Sequence, residues 1–197
     1  MAEISAQMVK DLRDQTGAKM MTCKKALEEN KGDFEKAKEW LRKKNEVDAG
    51  KKLGRETKEG AIGQYVHAGG KIAVLTEVLC ETDFVARNEE FQTLLKDLCM
   101  HIAAAAPEYL SREDIPEEVL EQERNIAREQ VTGKPENVVE KIVEGKIDKW
   151  CEERVLLDQK FVKDDKLSVS QVIKQKAGKL GENLQLTRFI RWELGQD

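Results

Sequence analysis

No two of the four cysteines, Cys23, Cys80, Cys99 and Cys151, lie within four residues of each other, so the sequence has no CxxC pair. The only histidines, His67 and His101, belong to no spaced ligand motif. A zinc site is therefore not expected, and the cysteines read as small buried thiols in a reducing compartment. No stretch approaches the ~20 apolar residues that a membrane helix needs. The greasiest run, Ile102 to Ala106, is far too short. The opening MAEISAQMVKDLRD is charged early and has no apolar segment of the kind a signal peptide carries. A soluble, cytoplasmic protein is the expectation. Enzyme templates are missing as well: GxxxxGK(S/T), GxGxxG after a strand, HExxH and GxSxG do not occur. Cys99 and His101 stand two apart on a predicted helix and so point to different faces. No pair of converging carboxylates can be read from the chain, and acid–base catalysis needs one. There is no internal repeat and no low-complexity tract.

What is present is a chain of 197 residues, enough for one ordinary domain or a small module plus a larger one. Charged residues make up 37% against 40% hydrophobic, and the signs nearly cancel to a net −4. That balance argues against a disordered chain and against a general nucleic-acid binder, which is more often basic. Protein or small-molecule partners are the better expectation.

Residues 1–45 read as three short helices. Ser5 is a good N-cap for the first, with Ile4 and Val9 as a hydrophobic staple, and Met8, Val9 and Leu12 form its apolar stripe. Thr16-Gly17 stops it. The second runs from about Lys19 to Asn30, with Met20, Cys23 and Leu27 at helical spacing. Asp33 caps a third, whose buried face is Phe34, Ala37, Trp40 and Leu41. Residues 46–60 lose large apolar residues and gain charge and glycine, which marks a linker with room for a helical turn. Residues 61–197 then form the core.

Ala61–His67 and Ile72–Cys80 flank Gly69-Gly70 and read as a β-hairpin with a two-residue turn. Both strand faces carry apolar residues, so each should be covered, one by helices and the other by another strand or chain. A helix follows over about Asn88 to Ala105, with Phe91, Leu94, Leu95, Leu98 and Ile102 on one face. Pro116 and Pro135 open two more, each proline placed in the first turn. Ser168 or Ser170 opens another, stopped at Gly181. LQLTRFIRWEL alternates and reads as a third strand. The fold class is α+β: a three-helix module, then a core with a three-stranded antiparallel sheet and packed helices.

One short segment stands out between the hairpin and its helix: Thr82-Asp83-Phe84-Val85. Two readings are open. Thr82 or Asp83 caps the next turn and Phe84 folds back into the core, or the segment protrudes and binds, as loops on rigid supports often do.

Four motifs carry a family resemblance. EISAQMVKDLRDQTGAKMMTCKKALEENKGDFEKAKEWLRKK resembles the N-terminal, ubiquitin-associated-like three-helix module of the elongation factor Ts family, and TGAKMMTCKKAL is its specific part. CETDFVARNEEF resembles the second family signature, and LLDQKFVKDDKLSVSQVI and LTRFIRWELG resemble two C-terminal segments, in order. Together they touch almost the whole chain. Lys19 stands where the family commonly has glycine, and Thr22 where it has aspartate. The length resembles the short form, which lacks the second core subdomain and coiled-coil hairpin of long members.

The resemblance implies a guanine-nucleotide exchange factor that acts on elongation factor Tu, without an enzyme's active site, a metal or a cofactor of its own. It assigns Thr82, Asp83, Phe84 and Val85 to dislocation of Mg²⁺ from the partner, and Arg13, Met20, Met21 and Lys24 to partner binding. It also implies a homodimer, with no direct nucleic acid and no membrane. Two competing readings remain at this point. One is a module that captures ubiquitin-like proteins or peptides, which uses residues 1–45 only. The other is a dimerisation protein without exchange activity.

Overall fold

The computed structural model describes residues 4–50, 54–131 and 135–196. Their contacts gather into two units. Met1–Gly60, Leu79–Phe91 and Ile173–Gln185 make the first; Ala61–Val78, Gln92–Val172 and Leu186–Asp197 make the second.

In the first unit the three N-terminal helices form where their caps place them. α1 (Ala6–Thr16) starts after Ser5, whose backbone is extended and whose hydroxyl accepts a hydrogen bond from the Met8 amide at 3.2 Å. It stops at Gly17, which is left-handed (φ +65°) and donates its N–H to the Arg13 carbonyl at 2.7 Å. α2 spans Met20–Glu29 and α3 spans Phe34–Gly50. Asp33 caps α3 by accepting from the Lys36 amide at 3.0 Å. α3 continues into the stretch read as linker, and residues 51–53 of that stretch lie outside the described residues. Leu12, Cys23, Ala26, Leu27, Ala37 and Leu41 close the core of the bundle, with Phe34 and Trp40 half-buried at its edge. Met20 is not part of that core. Ala26 lies with Cys23 and Leu27 on the buried side of α2, and the Met20 side chain turns outward.

The sheet follows, from β1 (Glu59–Val66), β2 (Ile72–Cys80) and β5 (Gln185–Glu193) in the order β1-β2-β5. The hairpin loop is longer than the expected two residues. The His67 amide donates to the Ile72 carbonyl at 2.9 Å, which leaves Ala68 to Lys71 in the connection. The reason is that both glycines take positive φ, +91° at Gly69 and +67° at Gly70. Gly69 completes a turn closed by Gly70 N–H to His67 C=O, and Gly70 then brings the chain back into register. β5 runs antiparallel to β2: Leu194 N–H reaches Lys71 C=O at 2.8 Å, and the Thr187 hydroxyl reaches Glu77 Oε1 at 2.6 Å.

β2 alternates as a half-buried strand should, with Val74, Thr76, Val78 and Cys80 inside and Leu75 outside. α5 (Glu89–Ala105) buries the whole of its expected face, Phe91, Leu94, Leu95, Leu98 and Ile102. It lies so close to β1 that a Cβ at Gly63 would stand 3.0 Å from Cys99 Sγ. The other side of the sheet is open. Ile62, Leu75, Glu77, Arg188, Phe189 and Ile190 line a groove of about 370 Å³ there, so within one chain only one of the two faces is covered as expected.

α6 (Glu117–Glu129) and α7 (Glu136–Arg154) pack together through Ala127, Val143, Ile147 and Cys151. Pro116 and Pro135 each stand one residue earlier than expected, at the N-cap, where their carbonyls accept from Leu120 and Val139. Arg112 joins Asp148 (2.8 Å) and Asp158 (2.5 Å), and the two carboxylates hold its guanidinium charged. α8 (Val169–Leu180) opens at Ser168 through a capping box. The Gln171 amide donates to Ser168 Oγ at 3.2 Å, and the Ser168 amide to Gln171 Oε1 at 2.9 Å.

A small hairpin of β3 (Lys160–Phe161) and β4 (Asp164–Ser168) had no signal in the sequence. Its neighbour is His101, buried on α5. Nε2 meets Gln159 Oε1 at 2.9 Å, and Nδ1 accepts from the Val162 amide at 3.3 Å, so the proton sits on Nε2 of a neutral ring. Burial holds its pKa below the usual 6.5, against the opposing Gln159 hydrogen bond.

Candidate functional site

Residues 82–85 form the most distinctive exposed feature of the first unit. β2 ends at Cys80, and Thr82 is extended (φ −131°, ψ 152°). Its hydroxyl accepts from the Val85 amide at 3.4 Å and so caps a single helical turn, α4 (Asp83–Ala86). One turn of helix places neighbouring side chains about 100° apart. Val85 and Ala86 go inward and are buried, whereas Phe84 goes outward and is 83% exposed. The capping half of the core reading therefore holds, and the fold-back of Phe84 does not. Val85 takes the buried position instead. Asp83 is exposed beside Phe84 and pairs with Arg87 at 3.0 Å. An exposed pair of this kind contributes little and can be exchanged for another partner.

The base of this turn is fastened by residues a hundred positions away. Glu182 Oε2 accepts from the amides of Glu81 (3.0 Å) and Thr82 (3.1 Å), and its Oε1 accepts from the Thr82 hydroxyl at 2.6 Å. Glu81 returns the contact by accepting from the Asn183 amide at 2.7 Å. Asn183 is buried and donates its side-chain N–H to the Arg55 carbonyl at 2.9 Å. Further along, Glu90 meets both Lys176 and Lys179 of α8, with the Lys179 contact at 2.6 Å, and the two ammonium groups draw its carboxyl down to about 2. Sequence reasoning missed Glu182, Asn183 and Glu90. A carboxylate just past a helix stop carries no local pattern, because its partners come from a distant strand.

The other four candidate residues sit on the three-helix bundle. Arg13 lies in the last turn of α1 and is exposed. Met20 and Met21 open α2 with 44% and 74% of their surface in solvent. Lys24 follows one turn later, 3.8 Å from Glu28. Met21 shares a shallow surface groove with Lys24 and Lys25, whereas Met20, one residue earlier on the helix, is turned by about 100° from it; an exposed methionine is an adaptable apolar contact. The exposed features are thus an aromatic ring beside a carboxylate on a hydrogen-bonded corner and a methionine beside lysines on the bundle. The thiols offer no nucleophile: burial pushes Cys80 and Cys99 up to about 11, and also raises Cys23 and Cys151. Among the described residues no group of three or more His, Cys, Asp or Glu could hold a metal ion, and no helix is long and apolar enough to cross a membrane.

The sequence profile of the family described as Elongation factor TS matches residues 2–196. Elongation factor Ts of Fervidobacterium nodosum is 53% identical over 196 residues, covering 98% of this chain and 100% of that protein. Elongation factor Ts of Thermosipho melanesiensis is 54% identical over 195 residues, with the same coverage. Elongation factor Ts of Myxococcus xanthus is 54% identical over 198 residues, covering 100% of this chain and 91% of that protein.

Proposed function

This chain belongs to the elongation factor Ts family, and from that premise we propose that it binds elongation factor Tu·GDP and promotes GDP release by dislocating Mg²⁺, in translation elongation. The observation that carries the reading is the exposure of Phe84 on a capped, fastened turn.

A GTPase holds GDP through phosphate contacts and a Mg²⁺ that depends on ordered loops. A protein that binds the nucleotide-free state better than the loaded state weakens nucleotide by the same factor that nucleotide weakens it. A coupling of ~4 kcal/mol corresponds to roughly a thousandfold in affinity. Phe84 is suited to supply part of it, since burial of a phenylalanine side chain is worth about 1.5–3 kcal/mol. That gain is realised only where an opened crevice accepts the ring. Asp83 can leave Arg87 to accept hydrogen bonds from the partner and disturb the network behind the magnesium. Thr82 and Val85 act from beneath, one as cap and one as buried anchor.

Arg13, Met20, Met21 and Lys24 grip the partner's nucleotide-binding domain in this reading. Residues 1–45 are then the gripping module, 46–60 the linker and 61–197 the core and dimerisation domain. The open side of the sheet is the self-association surface of a homodimer. The factor needs no cofactor, contacts no nucleic acid directly and works in the cytoplasm.

The test is release of fluorescent GDP from elongation factor Tu. The intact chain accelerates release, and Phe84→Ala removes most of the acceleration while the fold survives. Equal release by wild type and Phe84→Ala would show that the ring is not the wedge.

A further inference from the structure

We propose that Glu182 is a positioning residue for exchange: it fixes the corner that presents Phe84. The inference rests on the exchange reading above.

A wedge transmits binding energy only if its mount does not give way. The Glu182 carboxylate accepts three hydrogen bonds from two consecutive residues, the Glu81 amide, the Thr82 amide and the Thr82 hydroxyl. The last is decisive. A threonine hydroxyl has one proton. Once Thr82 donates it to Glu182, the oxygen's lone pairs are free for the Val85 amide. Glu182 thus orients the very hydroxyl that caps α4, and through it the turn that sends Val85 inward and Phe84 outward.

The clamp is reciprocal, because Glu81 Oε1 accepts from the Asn183 amide at 2.7 Å. The segment is held at its far end too, where Glu90 meets Lys176 and Lys179 of the helix that leads to Glu182. Between the two fastenings, Phe84 is the only aromatic residue. Removing the carboxylate leaves Phe84 and Asp83 in place chemically but frees the corner that aims them.

The experiment uses the full chain with Glu182→Ala and Glu182→Gln. Release of fluorescent GDP is followed over a range of factor concentrations, alongside amide hydrogen exchange at residues 81–85. Glu182→Ala removes all three contacts and should lower the maximal release rate by at least about tenfold, the size expected from losing even one charge-assisted hydrogen bond. The half-saturating concentration should move less, since the bundle still grips. The Glu81 and Thr82 amides should exchange faster. Glu182→Gln keeps one acceptor oxygen and should fall between, which keeps the test open if the alanine variant does not fold. Thr82→Val should add little to Glu182→Ala, because the two act as one unit.

A folded Glu182 variant with wild-type maximal rate, or with unchanged amide protection, would overturn the proposal. Failure of the wild-type chain to accelerate release is a different result and would remove the exchange reading itself.

Discussion

At the scale of single residues, the turn at 82–85 separates two roles that composition alone cannot separate. Phe84 and Val85 are adjacent and both apolar, yet one is 83% exposed and the other is buried. Loss of the Phe84 ring removes almost no folded-state contact, so Phe84→Ala should change the unfolding free energy by no more than about 0.5 kcal/mol. Urea titration checks this, and the same sample should have lost most of its effect on GDP release. Gly17 shows the opposite case. It is left-handed at φ +65°, and a Cβ there would fall on Cε and Nζ of Lys179. Gly17→Ala should cost about 1–2 kcal/mol from the backbone term alone, and it should displace the Lys179 ammonium from Glu90. Denaturation midpoints of Gly17→Ala, Lys179→Met and the double variant measure the coupling, which should be non-additive. The sequence pattern showed that Gly17 ends α1, since a glycine after an apolar stripe is a local signal. That it also makes room for a lysine far along the chain was not legible.

At the scale of elements, α5 carries two ionisable groups that both weaken the fold in acid, in separate pH windows. Burial holds the His101 pKa below 6.5. Its stabilising contribution as a neutral ring is whole above 6.5 and shrinks as pH falls from there toward the lower folded value, because in that window only the unfolded chain takes up the proton. The pKa of Glu90 is lowered from 4.5 to about 2 by Lys176 and Lys179, so its contribution is present above 4.5 and is lost as pH falls from 4.5 toward 2. Urea midpoints from pH 7.5 down to 5.5 should fall, and His101→Gln should flatten that part of the profile. Further acidification should expose a second decline that Glu90→Gln lacks. The start of α8 offers a simpler case: Ser168→Ala removes half of its capping box and should cost about 1 kcal/mol. Caps and apolar faces of this kind were readable because their partners lie within four residues. The β3–β4 hairpin was not readable. Lys160–Phe161 is too short to show alternation, and it is held by contacts around His101 and Gln159.

At the scale of the whole molecule, the open side of the sheet asks for a cover. Ile62 and Ile190 line its groove, and Trp192 and Leu194 near the end of β5 are also exposed. An exposed apolar groove of this sort suits the self-association proposed above. Light scattering should report twice the monomer mass at micromolar concentration, and Ile62→Glu with Ile190→Glu should return the monomer mass with the helical content intact. Alternation in LQLTRFIRWEL was enough to place β5 in the sheet. The hydrogen bonds of Glu182 to residues 81 and 82 lay beyond any local rule, since a separation of a hundred residues leaves no periodic trace. The turn at 82–85 has a consequence for how such chains can vary in length. Insertion of one residue between Cys80 and Phe84 would advance the helical phase and carry Phe84 into the buried place of Val85, leaving the surface place to Asp83 or to the inserted residue. The hairpin connection from Ala68 to Lys71, by contrast, can lengthen without rotating anything beyond it. Gaps should therefore be common among related proteins at that loop and absent from the four positions after the strand.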